Sequence, residues 1–476
     1  MQEGTRRVIE KFDLCIIGAG SGGLSVAAGA AQLGLKVALL EPHAMGGDCL
    51  NSGCVPSKAL LAAGKAAHAG ENAAQFGVHY TAPQIDFGAV KDHVAGVIAA
   101  IEPNDSQERF EQLGCTVIRA AGRFIDRRTV DAGGRKIRAR RFVIATGSRA
   151  GVPPIPGLAD VPFMTNETIF GLRDRPDHLI IIGGGAIGCE MAQAHRRLGC
   201  AVSIVDVGPI LPRDDADLVA IVRAALVGEG IALHERATID RIDQADGQVR
   251  LMLGDGQVIA GSHLLVAAGR KPTVDGLGLE AAGVEYSAKG IVVDPRRRTS
   301  NKRIFAIGDC RVGPQFTHTA GYEAGIVIQN ALFHVPAKVN YAALPWVTFT
   351  DPELAQVGLT EAAARAEHGD AVRVLHWTFA ENDRAQADKR TEGMAKVVLV
   401  KGKVAGASIV GPNAGELIQT WTIAITAKLG LRQLTGIIAP YPTYAEINKR
   451  LASSAFTASL FSDRTRKIVR LLQWFG

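Results

Sequence analysis

The chain has 476 residues, of which 47% are hydrophobic and 21% are charged, and its formal net charge is +6 at pH 7. This length exceeds a single hydrophobic core and predicts several domains, while the composition is that of an ordinary globular protein. A small net charge without a basic stripe excludes nucleic acid binding as the main function, and no apolar run is long enough to predict a membrane span. Seven cysteines without framework spacing, and a start without a signal-peptide pattern, lead us to expect a cytoplasmic protein.

A dinucleotide-binding unit is predicted near the start of the sequence. The apolar run 12–17 predicts a buried strand, and the glycine-rich segment 18–23 follows it directly. A helix over 24–33 and a second strand over 36–40, which ends at Glu41, complete the unit. This order is typical of a site that holds phosphates at the helix N-terminus and a ribose hydroxyl against the acid, although a glycine turn without a ligand is the alternative. The residues expected to contact the cofactor are Gly18, Gly20, Gly23 and Glu41.

Two cysteines separated by four residues, Cys49 and Cys54, follow this unit in the glycine-rich segment 46–58. Residues five apart on a regular helix lie too far apart for a disulfide, whose Cα atoms must come within about 7 Å of each other. The glycines at 46, 47 and 53 allow the backbone to depart from a regular helix. A dithiol beside a nucleotide cofactor predicts electron transfer. The other cysteines lie in apolar or strand contexts and are expected to be inert core thiols: Cys15, Cys115, Cys189, Cys200 and Cys310.

The pattern of the first unit recurs later in the sequence. A strand over 178–182 runs into Gly183, and a second strand over 201–205 ends at Asp206. Gly18 to Glu41 and Gly183 to Asp206 have the same separation, so this internal repeat predicts two nucleotide-binding domains. A carboxylate at Asp206 accepts from a 2′-hydroxyl and repels a 2′-phosphate, which favours NADH over NADPH. The glycines of this loop expected to bind the second nucleotide are Gly183, Gly185 and Gly188.

Three further strands end in short glycine motifs. The strand 142–144 leads into Thr146 and Gly147, and the strand 264–266 leads into Gly269. The strand 303–307 ends in Gly308 and Asp309, whose carboxylate can accept hydrogen bonds from a polyol chain. Ordinary strand ends are the alternative interpretation of each motif.

From residue 345 onward the pattern changes to an α+β block without a phosphate loop, which predicts an assembly domain. Strands are expected at 347–349, 373–377, 394–400 and 404–410, and helices at 414–429, 444–454 and 465–475. In the last of these helices, basic residues alternate with apolar ones. A helix docked on the protein and a weak contact with an anionic membrane surface are both open for it.

Together these motifs, including segments 46–58 and 382–385, resemble the class I pyridine nucleotide–disulfide oxidoreductases, and most closely their mercuric reductase-like and dihydrolipoamide dehydrogenase-like members. The resemblance implies an α/β fold with two Rossmann-like dinucleotide-binding domains and a C-terminal α+β interface domain. It places FAD on 1–150 and 275–344, NAD(P) on 151–274 and the dimer interface on 345–476. It also implies a homodimer whose active sites are each completed by the partner subunit.

The resemblance also implies roles for individual residues. NADH would reduce FAD, which would reduce a disulfide between Cys54, next to the flavin, and Cys49, which meets a small-molecule or protein acceptor. Lys58 would lie under the flavin and pair with Glu190. Additional FAD contacts are implied at Gly47, Thr146, Gly147 and Asp309, and an NAD contact at Gly269. No resident metal site is expected.

One position departs from the family pattern. Disulfide reductases of this family carry a histidine–glutamate pair in the interface domain, whereas here Glu446 is retained and Tyr441 stands in place of the histidine. A phenol with a pKa of about 10 is a poor base at neutral pH, so lipoamide or glutathione reduction is disfavoured. Tyrosine here resembles mercuric reductase, because soft thiolates bind a soft metal without an imidazole.

Two features of mercuric reductase are nevertheless not found in the sequence. The segment 471–476 contains no cysteine pair, and we expect no N-terminal metal-trapping domain. The sequence therefore predicts an NADH-dependent flavoenzyme that reduces a thiol-reactive acceptor, either a disulfide or a soft metal. Mercuric ion reduction proper, disulfide reduction of the dihydrolipoamide dehydrogenase type and a low-turnover flavin redox sensor remain as alternatives.

Overall fold

A computed structural model describes residues 9–71 and 73–475 of the chain. The strands of this part are β1 (Ile9–Ile17), β2 (Val37–Leu40), β3 (Cys115–Ile118), β4 (Gly122–Asp126), β5 (Thr129–Ala132), β6 (Arg135–Ile144), β7 (Ser148–Ala150), β8 (His178–Ile182), β9 (Ala201–Asp206), β10 (Ala232–Glu235), β11 (Ile239–Ala245), β12 (Gln248–Leu253), β13 (Val258–Gly261), β14 (His263–Val266), β15 (Arg270–Pro272), β16 (Tyr286–Ser287), β17 (Gly290–Ile291), β18 (Ile304–Ala306), β19 (Pro345–Thr348), β20 (Glu353–Gly358), β21 (Val372–Thr378), β22 (Met394–Val400) and β23 (Lys403–Gly411).

The α-helices of the same part are α1 (Ser21–Gln32), α2 (Gly47–Asn51), α3 (Cys54–His68), α4 (Phe87–Ile101), α5 (Gln107–Gln112), α6 (Ala186–Arg197), α7 (Ala216–Gly228), α8 (Leu279–Ala282), α9 (Thr317–Ala331), α10 (Glu361–His368), α11 (Asp383–Ala387), α12 (Ala414–Leu417), α13 (Gln419–Thr426), α14 (Leu431–Thr435), α15 (Glu446–Leu460) and α16 (Asp463–Leu472). Within the described residues, every helix is too short or too polar to cross a bilayer.

The chain divides into two compact units. The first takes in the described residues up to Ile182, with Leu198–Cys200 and Ile239–Val339. The second takes in Gly183–Arg197, Ala201–Thr238 and the described residues from Asn340 onward. The domain boundaries predicted from the sequence divide the chain by the cofactor that each domain is expected to bind, and they stay a prediction.

The first unit is built on a mixed sheet in the order β3-β2-β1-β6-β5-β4, with β18 also paired to β6. The central strand β1 runs parallel to both neighbours, and Ile17 lies opposite Leu40 and Ile144. The strands are apolar on both faces because α1 and other segments cover the sheet, as is typical of parallel sheets. Since ligands bind outside the carboxyl ends of such strands, the segments that leave Ile17, Leu40 and Ile144 form the expected site.

The second unit contains the parallel pair β9 and β10 and an antiparallel sheet in the order β19-β20-β23-β22-β21. The strand β20 lies inside this sheet, yet the sequence pattern did not predict it. The reason is Gln356, a fully buried polar side chain whose amide accepts a hydrogen bond from Ser408 and donates to the Val357 carbonyl at 3.1 Å. Helix 414–429 was also predicted as one element, whereas the structure has α12 and α13 on either side of Ile418.

Candidate active site

The first glycine loop is closed by Glu41. The amide of Gly18 donates to the Leu40 carbonyl at 2.8 Å, which joins the ends of β1 and β2. One carboxylate oxygen of Glu41 accepts from the Ala19 amide at 2.8 Å, and the other accepts from the His43 amide at 2.9 Å. Because each carboxylate oxygen has a second lone pair, Glu41 can fix this loop and still accept from a ribose hydroxyl.

The loop fits the phosphates of a dinucleotide. Helix α1 begins at Ser21, three residues earlier than predicted, and among the described residues no side chain caps its first turn or places a negative charge in it. Its amide groups are therefore left for an anionic group, which the helix dipole also favours. Gly18 has a φ of +105°, and a Cβ at this position would lie 2.4 Å from the Ala145 carbonyl oxygen. The loop thus packs directly against the segment that leads into Thr146 and Gly147.

The segment with the two cysteines starts on this loop. Gly46 donates to the Ala19 carbonyl at 3.0 Å, and a Cβ on Gly47 would lie 2.7 Å from the Cα of Gly20. Helix α2 carries Cys49 and ends at Asn51, and helix α3 begins at Cys54. The departure from a regular helix that the glycines predicted is therefore present as a break between the two helices.

The two thiols interact with each other. Cys49 and Cys54 share a hydrogen bond, and this contact, together with burial and the charge of Cys54, raises the pKa of Cys49. A hydrogen bond with Thr317 acts in the opposite direction but is weaker. The Thr317 hydroxyl also lies 3.6 Å from the Cys54 sulfur. The raised pKa favours the protonated form of Cys49, which serves as hydrogen-bond donor to Cys54.

A cavity of about 400 Å³ adjoins the pair. It lies within the first unit, and Cys49 and Thr317 contribute to its wall. Its other lining residues are Ser21, Leu24, Ser25, Ala28, Gly46, Leu50, Val55, Ile101, Asp105, Arg109 and Phe110. Cys49 is thus the member of the pair that a small molecule in this cavity meets.

A network of polar side chains, which the sequence did not predict, connects the cysteine segment with Asp309. Asp48, next to Cys49, accepts from Asn166 at 2.9 Å and pairs with the Arg270 guanidinium at 3.0 Å. Arg270 also donates to the Ser148 hydroxyl at 2.7 Å, and that hydroxyl donates to Asp309 at 2.7 Å. Burial raises the pKa of Asp309, although Ser148 and the charge of Arg270 counteract this rise. Asp309 is therefore a partly buried carboxyl held in a fixed orientation at the end of β18.

Thr146, Gly147 and Gly269 lie in the same unit. The Thr146 hydroxyl donates to the Thr273 carbonyl at 2.7 Å, and the Thr273 amide donates to the Gly147 carbonyl at 2.9 Å. The Gly269 carbonyl accepts from Gly151 at 2.9 Å. These contacts join the segments around β7 and β15, which also pair as antiparallel strands. The assignments of Thr146 and Gly147 to FAD and of Gly269 to NAD stay predictions.

The second glycine loop repeats the first. Gly183 donates to the Val205 carbonyl at 2.9 Å, and the carboxylate of Asp206 accepts from Gly184 at 2.6 Å and from Gly208 at 2.7 Å. Helix α6 begins at Ala186 and contains Gly188, and Gly185 immediately precedes it. The hydrogen bonds of the first glycine and of the acid thus match those of the first loop.

Lys58 belongs to the first unit and Glu190 to the second. Lys58 is partly buried and lies 3.4 Å from the Ser57 hydroxyl. Glu190 is buried, and its carboxylate accepts from the Phe349 amide at 3.0 Å. Their pairing under a flavin stays a prediction.

Tyr441 is exposed and oriented by a partner that the sequence did not predict. Its side chain is 68% exposed, and its hydroxyl donates to Asp383 at 2.8 Å. The neighbouring residue Asn382 donates to the Thr443 carbonyl at 3.1 Å, so two loops of the second unit are joined here. The hydrogen bond and charge of Asp383 raise the pKa of Tyr441, and the charge of Glu446 adds to the effect. The phenol is therefore a proton donor at neutral pH and not a base.

The remaining five cysteines are all buried, as predicted. Burial raises the pKa of both Cys115 and Cys310 to about 11, and it raises the pKa of Cys15 and Cys189 further. All five thiols are screened from solvent, which leaves Cys49 and Cys54 as the accessible cysteines.

Comparison with known proteins places these features in a family. Residues 12–324 match the model for the pyridine nucleotide–disulphide oxidoreductases, and residues 344–452 match the model for their dimerisation domain. A mercuric reductase of Streptomyces lividans is 37% identical over 463 residues, which cover 94% of this chain and 97% of the relative. A dihydrolipoyl dehydrogenase of Geobacillus stearothermophilus is 34% identical over 455 residues, which cover 92% of this chain and 95% of the relative.

Solved structures give the same picture. The Cu(II) complex of the HOCl-induced flavoprotein disulfide reductase RclA from Escherichia coli has a TM-score of 0.84 and 28% identity, and the match covers 93% of this chain and 99% of that one. LpdA from Mycobacterium tuberculosis has a TM-score of 0.86 and 25% identity, with 94% of this chain and 100% of that one covered.

Proposed function

The chain belongs to the pyridine nucleotide–disulphide oxidoreductases, and from this we propose that it transfers reducing equivalents from NADH, through FAD and the Cys49–Cys54 pair, to a thiophilic metal ion. Members of this family are flavoenzymes that use FAD and a pyridine nucleotide. When bound, the flavin accepts hydride from the nucleotide and supplies electrons to the disulfide. Gly18, Glu41 and Asp309 would hold FAD, and Gly183 and Asp206 would hold NADH. We place the enzyme in the cytoplasm.

The two cysteines would have separate roles. Cys49 lines the cavity and would bind the acceptor, whereas Cys54 would stabilise the negative charge of the reduced pair next to the flavin. Thiolate is the form that binds soft metals and attacks disulfides. Because its pKa is raised, Cys49 would become a thiolate only by giving its proton to Cys54 or to the acceptor's ligand.

The observation that carries the choice of a metal acceptor is the hydrogen bond from Tyr441 to Asp383. Reduction of a disulfide needs a group that takes the proton of the interchange thiol and returns it to the leaving thiolate. Tyr441, with its pKa raised, cannot take that proton near neutral pH. A metal ion exchanged between thiolates needs no such base. In the family dimer, Tyr441 of one subunit would face Cys49 of the other, and the dimerisation domain supports such a homodimer.

The relatives support this choice. Mercuric reductases from several bacteria are 34–37% identical to the chain, and an Escherichia coli reductase of the same fold is known as a Cu(II) complex. Dihydrolipoyl dehydrogenases are similarly related, so disulfides belong in any acceptor test.

The roles of the cysteines can be separated by single substitutions. The purified protein should be yellow, and titration with NADH should produce a long-wavelength thiolate–flavin charge-transfer band. Cys54→Ser should abolish the band, because no thiolate then lies next to the flavin. Cys49→Ser should keep the band and lose more than about a thousandfold in turnover, because the acceptor then has no thiol to meet. A colourless protein, or a Cys49→Ser variant that turns over normally, would contradict the proposal.

The acceptor can be identified by NADH oxidation with Hg(II), Cu(II), lipoamide and glutathione disulfide, each measured against the oxygen background. Metal-dependent turnover should be retained in Tyr441→Phe to within about tenfold, because the phenol is not used as a base. Tyr441→His should increase disulfide reduction by roughly a hundredfold, since imidazole titrates near neutral pH. Rapid disulfide reduction by the unchanged protein would overturn the metal assignment while leaving the cysteine roles intact.

A further inference from the structure

We propose that helix α16, together with the turn 473–475, binds the surface of a bilayer that contains anionic lipid. The match to the family's dimerisation model ends at residue 452, so α16 lies beyond the residues matched by that model. Its start is fixed by the Ser462 hydroxyl, which accepts from the Thr465 amide at 3.3 Å. The helix is therefore a defined element and not a continuation of α15.

The side chains of α16 are segregated by polarity around the helix. At about 100° per residue, the apolar side chains share one side and three of the four long cationic side chains share the other, whereas Arg464 in the first turn lies on the apolar side. The apolar side consists of Ile468, Val469, Leu471 and Leu472, and the opposite side carries Arg466, Lys467, Arg470 and the following Gln473. The apolar residues are not covered by the described part of the subunit, since Leu472 is 59% exposed, and Trp474 and Phe475 are 85% and 82% exposed.

The charge of this segment indicates an anionic partner. Residues 461–475 hold Arg464, Arg466, Lys467 and Arg470 against Asp463, which gives +3 of the chain's net +6. Only Asp463 opposes the cations within the helix, and it lies 3.6 Å from Arg466 with both side chains largely exposed. Basic residues strengthen binding to anionic lipid, as is typical of segments that bind membranes through their charge.

A lipid surface fits this helix better than a second copy of the chain does. Protein interfaces are depleted of lysine at their centre, whereas a strip of Leu, Ile, Trp and Phe flanked by Arg and Lys is typical of helices that lie in the headgroup region. Trp474 adds an aromatic side chain suited to that region. At about 15 Å in length the helix is too short to span the hydrocarbon core, so it would lie along the surface. In a homodimer two such helices would bind together and strengthen attachment.

The test is co-sedimentation of the purified full chain with vesicles of phosphatidylcholine alone and of equal parts phosphatidylcholine and phosphatidylglycerol. Binding is expected only to the anionic vesicles and should weaken as salt is added. Leu472→Glu places a carboxylate at the centre of the apolar side and should weaken binding at least about tenfold. Gln473→Glu is the matched control, because it changes the charge equally on the polar side and should weaken binding only about fivefold.

Charge and apolar contact can be separated by a further variant. The double substitution Arg466→Gln and Arg470→Gln should weaken binding to anionic vesicles by roughly 30-fold, because two cations are lost. Sedimentation of the unchanged protein equally with both vesicle types, or with neither, would overturn the proposal. So would a Leu472→Glu variant that loses its oligomeric state in solution, since α16 would then cover a second copy. NADH oxidation with a soluble acceptor should be unchanged in all variants, so the outcome does not depend on the proposed reaction.

Discussion

The two glycine loops share the same backbone plan, and they differ in the segments to which they lead. In each loop, the amide of the first glycine donates to the carbonyl at the end of the second strand. The acid after that strand accepts from the amide of the residue that follows the glycine, which is Ala19 in the first loop and Gly184 in the second. That residue's carbonyl accepts from a residue five positions after the acid, Gly46 in one loop and Leu211 in the other. Both of these have positive φ, 86° and 48°. The repeat thus extends well beyond the glycine motif.

After these positions the two loops diverge. Gly46 leads directly into α2 and the cysteine pair, so the first loop carries the redox segment on its own backbone. Leu211 leads into α7, and the amide of the preceding Ile210 donates to Glu235 at 2.7 Å. The second loop is therefore braced by a carboxylate and has no reactive side chain attached. The two loops thus share one backbone arrangement, and the first of them leads into the cysteine segment.

The largest effect is expected at the first loop from Gly18→Ala. The new methyl group meets the Ala145 carbonyl at a backbone position with positive φ, so we expect a loss of roughly 2 to 4 kcal/mol of stability and purification without flavin. Gly34→Ala is the control, because Gly34 also has positive φ but has nothing within 4 Å of the added Cβ. It should cost about 1 kcal/mol and stay yellow. Thermal unfolding and flavin absorbance measure both, and equal effects would refute the close packing of the first loop.

A matched pair of amide substitutions should separate the two nucleotide sites. Glu41→Gln removes a buried charge that accepts two amide hydrogen bonds, and we expect FAD affinity to fall roughly 30-fold. Asp206→Asn makes the same change at the second loop and should raise the KM for NADH about tenfold while the protein keeps its flavin. Flavin titration of the apoprotein and steady-state kinetics measure these effects. Flavin loss in Asp206→Asn would reverse the assignment of the loops.

The smallest effect is expected from the residue after the second acid. Val207 is 74% exposed, so an arginine there has room to approach a 2′-phosphate. Val207→Arg should raise kcat/KM for NADPH about fivefold and leave that for NADH nearly unchanged, because Asp206 is retained. Val207→Gln has a polar side chain without the charge and should have no effect on NADPH. A wild-type enzyme that already prefers NADPH would contradict the nucleotide assignment.

Much of this site could be predicted because its patterns are local. Gly18, Glu41 and the cysteines lie within one short stretch, and the spacing of turns, helices and acids limits what such a stretch can form. The sequence did assign the ribose as the partner of Glu41 and Asp206, whereas the structure shows that each carboxylate first accepts two backbone amides. The local sequence pattern therefore identified the two acids but not the hydrogen bonds that they accept from the backbone.

The contacts that the sequence did not predict join distant segments. Asp48 and Arg270, or Tyr441 and Asp383, are ordinary polar residues until the fold brings them together. Their pairing depends on the packing of several strands and loops, which no short window of sequence contains. The strand β20 was not predicted for a related reason. Its buried Gln356 is satisfied by Ser408, which lies on another strand, and a short window of sequence does not show this partner.

The burial of five of the seven cysteines has a consequence for an enzyme with a thiophilic acceptor. A toxic metal ion that enters such a protein inactivates it by reacting with any accessible thiol, so each exposed cysteine is a point of poisoning. Here Cys15, Cys115, Cys189, Cys200 and Cys310 lie in the core, so of the seven cysteines only Cys49 and Cys54 would be open to the proposed metal acceptor. Burial in the hydrophobic core would therefore protect five thiols from the metal ion that the enzyme is proposed to reduce.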